Sequence, residues 1–291
     1  MHIGQRDVLL KKHMLLQLNF DSLGDTKVAY HLWDETLGKM GSCEIAICSM
    51  KNIMSVCSPS NEIKEVTYYS DTSGGQNRNQ YVVTSFLCTL SRIPSLKKLN
   101  HKFLQSPHSN MEYDSVHSTI ETANRKTSVY VPSQWCRLAS LARRSNHLKY
   151  YHVLNWKAFV NKHCSNLQRS TAGEKINWLN VHLIQVRQST PKSLFVNYSF
   201  NEASFIEIDI QAKSTRQGTK MGNWPEQLEK CYAKKILISI QKKTDLMQLC
   251  TKGIIPEEFN HFFKALQVDK QVKDKFPEPA LDEDSTDTNT E

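Results

Sequence analysis

The stretch YYSDTSGGQNRN, residues 68–79, is the most informative part of the chain. A short β-favouring run, residues 66–70, ends directly before Asp71, and two glycines follow it. A carboxylate at the end of a buried strand, followed by glycines, leaves an open approach for a metal ion or a ligand. Asp71 is therefore the first candidate for a site residue. A turn, or a cap on the next helix, would also account for an aspartate here.

A second polar cluster has the sequence HSNMEYD and occupies residues 108–114. Glu112 and Asp114 come just before a helical pattern at residues 115–125, where acids favourably meet the helix dipole. Carboxylates are also the ligands that Mg²⁺ takes from proteins, often only one or two at a site. His108 could orient a phosphate or a carboxylate, or it could be an ordinary solvated histidine. The two clusters together suggest phosphoryl-transfer chemistry.

The patterns around these clusters predict a mixed sheet. Alternating apolar residues predict strands at 15–20 and 27–33, joined by the turn DSLGD into an antiparallel hairpin. Further strands are predicted at residues 66–70 and 97–104. Helices are predicted at residues 42–54 (with Ser42 as N-cap), 82–90, 115–125 and 134–144. This alternation predicts an α/β fold in which helices pack against a mixed sheet.

The second half of the chain has a different character. Strands are predicted at residues 177–186, 193–198 and 205–210, and helices at 244–250 and 257–266. We therefore expect three parts: a core over residues 1–165, a smaller β-rich and helical part over 166–268, and a disordered acidic tail over 269–291.

The net charge of +8 over 291 residues is unevenly distributed. Residues 282–291 contain five acids and no base, so the rest of the chain has 37 basic and 24 acidic residues, a net charge of +13. A folded part this basic suits a polyanionic partner such as DNA, although ordinary solubility charge would also explain it.

Compartment and membrane association follow from composition. No apolar run reaches the roughly 18 residues that cross a bilayer, and the polar, basic first residues lack the apolar segment of a signal peptide. The 8 cysteines are scattered and include no Cys-x-x-Cys pair. That spacing favours reduced thiols and argues against a structural zinc site. We expect an intracellular protein with no membrane partner and no small-molecule cofactor.

Several other motifs stand in order around residues 68–79. They are YHLWDE at residues 30–35, GSCEIA at 41–46, HKF at 101–103, HS at 108–109, Asp114, and IE at 120–121. In this order they resemble an uncharacterised eukaryotic domain family, whose members look like ribonuclease-H-like domains derived from DDE transposases. The resemblance covers roughly residues 15–265, and residues 246–263 resemble the family's closing segment.

The resemblance implies a ribonuclease-H-like core and a chemistry. In such enzymes, acids on neighbouring strands and one helix hold two Mg²⁺ or Mn²⁺ ions, which promote in-line displacement at phosphorus. By resemblance, Asp71 is the second acid and Asp114 is the third, with Glu112 as the alternative. Asp71 and Asp114 would then be the metal ligands. The side chains expected to contact nucleic acid are Arg78, Lys102 and His108.

The sequence departs from the family pattern at its start. The first acid of such a site belongs to a strand before the hairpin, but residues 1–14 contain only Asp7, in a polar context. Pro107 and Met40 stand where the family has Gly and often Arg. The chain therefore resembles a family member truncated at its amino end, and we expect its catalysis to be residual or lost. Such a truncation would also leave a sheet edge unpaired.

The expected function is that of a transposase-derived domain. Its ancestral activity would be Mg²⁺- or Mn²⁺-dependent cleavage or transfer of DNA strands, degenerate in this chain. The alternative is a domesticated module without chemistry and without a metal, which binds nucleic acid or another protein. A DNA partner would be compatible with a nuclear location.

Overall fold

A computed structural model describes residues 15–21, 28–57, 62–72, 77–104, 122, 128–142, 153–164, 167–201, 204–211, 224 and 228–272. The chain divides into two compact units: His13–Lys235 on its own, and Ile236–Glu291 with Met1–Lys12. The predicted boundary between residues 165 and 166 falls inside the larger unit. Among the described residues, none of the helices combines the length and the apolar composition that crossing a bilayer requires.

The larger unit begins with the predicted hairpin. Strands β1 (Leu15–Asp21) and β2 (Val28–Asp34) pair in antiparallel fashion, with Leu18 opposite His31. The prediction of an antiparallel hairpin is confirmed. The two strands form a two-stranded sheet of their own.

Helix α1 (Ser42–Val56) follows the hairpin, as its apolar spacing predicts. Its N-cap is Gly41, so the expectation that Ser42 caps the helix is wrong by one residue. The Glu44 carboxylate accepts hydrogen bonds from the backbone N–H groups of Gly41 (3.2 Å) and Lys39 (2.9 Å). A glutamate at this position satisfies donors that the first helical turn leaves unpaired, which is why the helix begins here.

A five-stranded mixed sheet forms the centre of the larger unit. Its strands, in spatial order, are β3 (Glu65–Ser70), β4 (Lys98–Phe103), β5 (Leu183–Arg187), β6 (Ser193–Asn197) and β7 (Ile206–Asp209). Helix α2 (Gln80–Ser91) connects β3 to β4, which are parallel, and the other neighbours are antiparallel. The α/β prediction is confirmed. The strands predicted after residue 166 continue the same sheet as β3 and β4.

The core lies between this sheet and its helices. Alternation directs every second residue of β4 toward α2, so Leu99 and Phe103 pack with Phe86, and all three are almost completely buried. The remaining helices of the larger unit are α3 (Pro132–Ala142) and α4 (Trp156–His163). Val160 of α4 joins the same apolar cluster. Burial of this cluster supplies the main driving force for folding.

Strand β3 is the outermost strand of the five-stranded sheet. The carbonyls of Lys64 and Ser70 accept hydrogen bonds from the β4 side, so alternation directs the backbone groups of Glu65, Thr67 and Tyr69 away from β4. In the part of the chain that the structure describes, no strand pairs with this outer edge.

The smaller unit is built on a short helical pair. Strand β8 (Ile238–Ser239) leads directly into α5 (Ile240–Thr251), and a turn at Glu257–Phe259 leads into α6 (Asn260–Lys264). Strand β9 (Val268–Asp269) then pairs with β8 in parallel. The two predicted helices are thus present in this unit. The predicted acidic tail beyond residue 272 lies outside the described residues.

Candidate functional site

Asp71 directly follows β3, as predicted, and its side chain is exposed. Because β3 and β4 are parallel and Ser70 is in register with Phe103, both strands end at the same edge of the sheet. Helix α2 also begins close to this point in the chain, at Gln80. An edge formed by the carboxyl ends of parallel strands is where open α/β sheets bind ligands.

The alternative that Asp71 caps the next helix is not what the structure shows. Asn79 is the N-cap of α2, and its side-chain oxygen accepts from the backbone N–H groups of Tyr81 (3.0 Å) and Val82 (3.1 Å). The Asp71 carboxylate instead accepts a hydrogen bond from Nδ2 of Asn77 at 2.7 Å. Asp71 is exposed at this edge of the sheet.

Asn77 is the buried partner of this carboxylate, with only 7 % of its surface exposed. A carboxylate oxygen can only accept, so the amide nitrogen of Asn77 must face Asp71. The amide oxygen, Oδ1, is then buried without a hydrogen-bond partner among the described residues. Buried polar atoms are nearly always paired, so this oxygen is an exception that calls for a partner. The sequence predicts amide donors at residues 76–79 but does not predict this orientation.

Arg78 ties the segment after β3 to the rest of the sheet. Its guanidinium donates to the carbonyl oxygens of Thr72 (3.1 Å) and Val181 (3.3 Å) and lies 5.7 Å from the centre of the Phe103 ring. Burial lowers the pKa of Arg78, and the neighbouring Asp71 charge acts in the opposite direction. The prediction that Arg78 contacts nucleic acid stays a prediction, since its described bonds are internal.

Behind Asp71 lies a buried pair of polar side chains that sequence reasoning missed. Oγ of Ser70 is 2.8 Å from Nε2 of His101, and Ser70 also donates to the backbone carbonyl of Asp71 at 2.9 Å. His101 has no exposed surface, and burial lowers its pKa to about 3. The imidazole is therefore neutral at physiological pH. The register of β3 and β4, which brings the two side chains together, was the missing information.

The other predicted site residues are placed as follows. Lys102 lies on β4, in register with Tyr69, and alternation puts it on the sheet face opposite the apolar core. The structure therefore does not bring Lys102 onto the helix-covered face with His101. The predicted ligands Asp114 and Glu112, and the predicted DNA contact His108, lie outside the described residues.

The residues at this edge suit a hard, hydrated cation. Among the described residues no group of three or more His, Cys, Asp or Glu side chains is arranged to hold a metal ion. Mg²⁺ nevertheless keeps several of its waters and is often bound through one or two carboxylates. Asp71 and the unpartnered Oδ1 of Asn77 are both hard oxygen donors, so the residues present fit such an ion.

Comparison with known proteins adds no family assignment. No protein-family model matches the chain. Neither the curated proteins nor the solved structures gave a significant match.

Proposed function

We propose that this chain is a transposase-derived, ribonuclease-H-like domain that binds a divalent cation and DNA at the carboxyl end of β3. The observation that carries the proposal is the exposed Asp71 carboxylate bonded to Asn77, whose buried Oδ1 has no described hydrogen-bond partner. Asp71 and Asn77 would hold the cation, with Asp114, or Glu112 in its place, as the further ligand that the family resemblance implies.

The parallel pair β3–β4 supports the resemblance, because Asp71 follows a strand and is itself followed by a helix and a parallel strand, in the order it implies. The described sheet also departs from it: β3 is outermost, and no described strand lies where the first acid would be. We therefore propose that cation and DNA binding persist in this chain, and that strand cleavage is weak or lost.

Charge at the site couples the cation to DNA. The Arg78 guanidinium interacts with the Asp71 charge, so the pair together is close to neutral and attracts a cation only weakly. A bound divalent ion would be stabilised further by a DNA phosphate, which supplies the negative charge that the pair lacks. When bound, the cation would neutralise phosphate charge at this edge.

Mn²⁺ binding, followed by electron paramagnetic resonance and by thermal unfolding, tests the proposal. We expect Mn²⁺ to raise the unfolding temperature of the wild-type protein, more so with duplex DNA present, and to do so much less in Asp71→Asn. Asp209→Asn is the matched control, because Asp209 is also exposed, ends a strand, and accepts a hydrogen bond from the N–H of Gln211 at 2.8 Å. No shift in the wild-type protein, or an equal shift in Asp71→Asn, overturns the cation site.

A non-catalytic nucleic-acid-binding module is the second candidate. The net charge of +8 favours it, as does Lys102 of β4, which lies on the sheet face away from the core. This function predicts DNA affinity that falls steeply with salt but depends neither on Mg²⁺ nor on Asp71. Affinity lost in Lys102→Gln and retained in Asp71→Asn would favour this candidate over the cation site.

A further inference from the structure

The hydroxyl of Ser70 lies between a buried ring and the backbone of the candidate cation ligand. It donates to the carbonyl oxygen of Asp71 at 2.9 Å and lies 2.8 Å from Nε2 of His101. A serine hydroxyl has a single hydrogen. Since that hydrogen is used on Asp71, the Ser70 oxygen accepts from His101, and Nε2 must carry a proton.

The other nitrogen of His101 agrees with this assignment. Nδ1 is buried and has no hydrogen-bond partner among the described residues. In the opposite tautomer, an N–H donor would be buried at Nδ1 without an acceptor, and such donors are rare in folded proteins. The structure therefore assigns the neutral Nε2–H form to His101.

Aromatic rings hold the imidazole in place. The ring centres of Tyr68, Phe86 and Phe103 lie 4.8, 5.3 and 4.1 Å from that of His101, and the histidine has no exposed surface. These rings come from β3, α2 and β4, so the direction of the Nε2–H bond is fixed by the core of the sheet.

The Ser70–His101 pair does not form a nucleophilic site. Ser70 is 5 % exposed, its hydroxyl hydrogen is used on a backbone carbonyl, and the Asp71 carboxylate is bonded to Asn77 and not to the imidazole. In a catalytic triad the histidine would accept the serine proton, whereas here it donates to the serine. The pair can fix geometry but cannot activate the hydroxyl.

We infer that His101 is a positioning residue for Asp71: through Ser70 it fixes the backbone from which the carboxylate leaves β3, and so sets the affinity of the cation site. The inference rests on the proposed cation-binding function. Hydrogen-bonded partners that orient a metal ligand change metal affinity by about 10- to 100-fold when they are removed.

His101→Phe and Ser70→Ala break the link at its two ends. Phenylalanine keeps a ring among the three aromatic neighbours, so the variant should retain the packing of the core. We expect Mn²⁺ affinity in both variants to fall about tenfold. His101→Gln, which can still present an N–H to Ser70, should recover part of that affinity. Ser85→Ala is the matched control, because Ser85 is also buried and also donates to a backbone carbonyl, that of Val82.

Nitrogen NMR of the imidazole gives a readout that needs no cation. We expect Nε2 to be protonated and Nδ1 to be bare, and the amide signal of Thr72 to move in Ser70→Ala. A protonated Nδ1 in the neutral ring, or Mn²⁺ affinity unchanged in both His101→Phe and Ser70→Ala, overturns the positioning role. If the wild-type protein does not bind Mn²⁺, the proposed function is overturned instead. The NMR measurement of the tautomer needs no Mn²⁺, so it still tests the hydrogen bond from His101 to Ser70 in that case.

Discussion

Arg78 donates a hydrogen bond to the carbonyl oxygen of Val181, 103 residues later in the chain. Val181 is completely buried and directly precedes the β5 region of the sheet, while Arg78 belongs to the segment that connects Asp71 to α2. One guanidinium therefore joins the candidate site to the opposite side of β4. It also bonds the carbonyl of Thr72, immediately after Asp71.

We expect Arg78→Lys to destabilise the larger unit by about 1–2 kcal/mol. An ammonium group cannot reproduce the planar geometry with which the guanidinium reaches two carbonyls, so at least one acceptor loses its charged donor. Chemical denaturation measures the loss. The control is Arg169→Lys, since Arg169 is exposed and donates to the carbonyl of Gly173. Equal stabilities of the two variants would contradict the structural role of Arg78.

Glu44 and Tyr232 form a second long-range link. Glu44 is 2 % exposed and accepts from the Tyr232 hydroxyl as well as from two backbone N–H groups ahead of α1. We expect Tyr232→Phe to reduce stability by about 1 kcal/mol, and Glu44→Ala to reduce it by more, because the backbone donors then lose their acceptor. Urea unfolding of the two variants checks this order, and a greater loss in Tyr232→Phe would contradict it.

The same link predicts how stability changes in alkali. Burial raises the pKa of Tyr232, and the Glu44 carboxylate raises it further. In the unfolded chain the phenol ionises near pH 10, whereas the folded chain keeps it protonated, so stability falls as the pH rises above about 10. The decline should be shallower in Tyr232→Phe. If stability falls equally steeply between pH 9 and pH 11 in the wild-type protein and in Tyr232→Phe, the protonated state of the buried phenol is contradicted.

His101 predicts a loss of stability in acid. Its folded pKa of about 3 lies below the value near 6.5 expected in the unfolded chain, so below pH 6.5 the unfolded state binds the additional proton. The stability that depends on the neutral imidazole is fully present above about pH 6.5 and is lost progressively toward pH 3. At pH 5 the loss is about 2 kcal/mol. His101→Phe should flatten this part of the profile. An unchanged slope between pH 7 and pH 5 would contradict the buried neutral state.

The outer edge of β3 makes a prediction about proline. The backbone N–H of Thr67 is directed away from β4, whereas that of Val66 is directed toward it. Thr67→Pro should therefore be less destabilising than Val66→Pro, by about 1–3 kcal/mol, since only the second removes a ladder hydrogen bond.

Thr67→Ala is the reference for this comparison, because the Thr67 hydroxyl accepts a bond from Asn100 that proline also removes. The stabilities come from urea midpoints. A larger loss in Thr67→Pro than in Val66→Pro would show that the outer edge of β3 is paired.

Much of the secondary structure follows from local pattern. The run before Asp71 predicted β3 to within one residue, and the apolar spacing after residue 82 predicted α2. These elements have strong periodicity, which depends only on neighbouring residues. The predicted cap of α1, Ser42, is wrong by one residue: the cap is Gly41, because the contact with the Glu44 side chain outweighs the intrinsic preference of serine.

The candidate site was predicted less completely. The sequence singled out Asp71 because a carboxylate after a strand is a local feature. It did not distinguish a helix cap from a ligand. The structure excludes the cap, because Asn79 is the N-cap of α2, and the role of Asp71 as a ligand stays a prediction. The pairing of Ser70 with His101 required the parallel register of β3 and β4, and no local pattern encodes that register.

The sequence by itself therefore determined the α/β character and the hairpin. It also determined the helices that precede and follow β3 along the chain, and the position of Asp71 at the end of that strand. These depend on periodicity and turn chemistry within short windows. Only the tertiary structure decided that β5–β7 extend the sheet of β3 and β4, that the amide of Asn77 donates to Asp71, and that the buried His101 is hydrogen-bonded to Ser70. Each of these joins residues through strand register or side-chain packing, where the burial of distant partners, and not the order of neighbours, selects the arrangement.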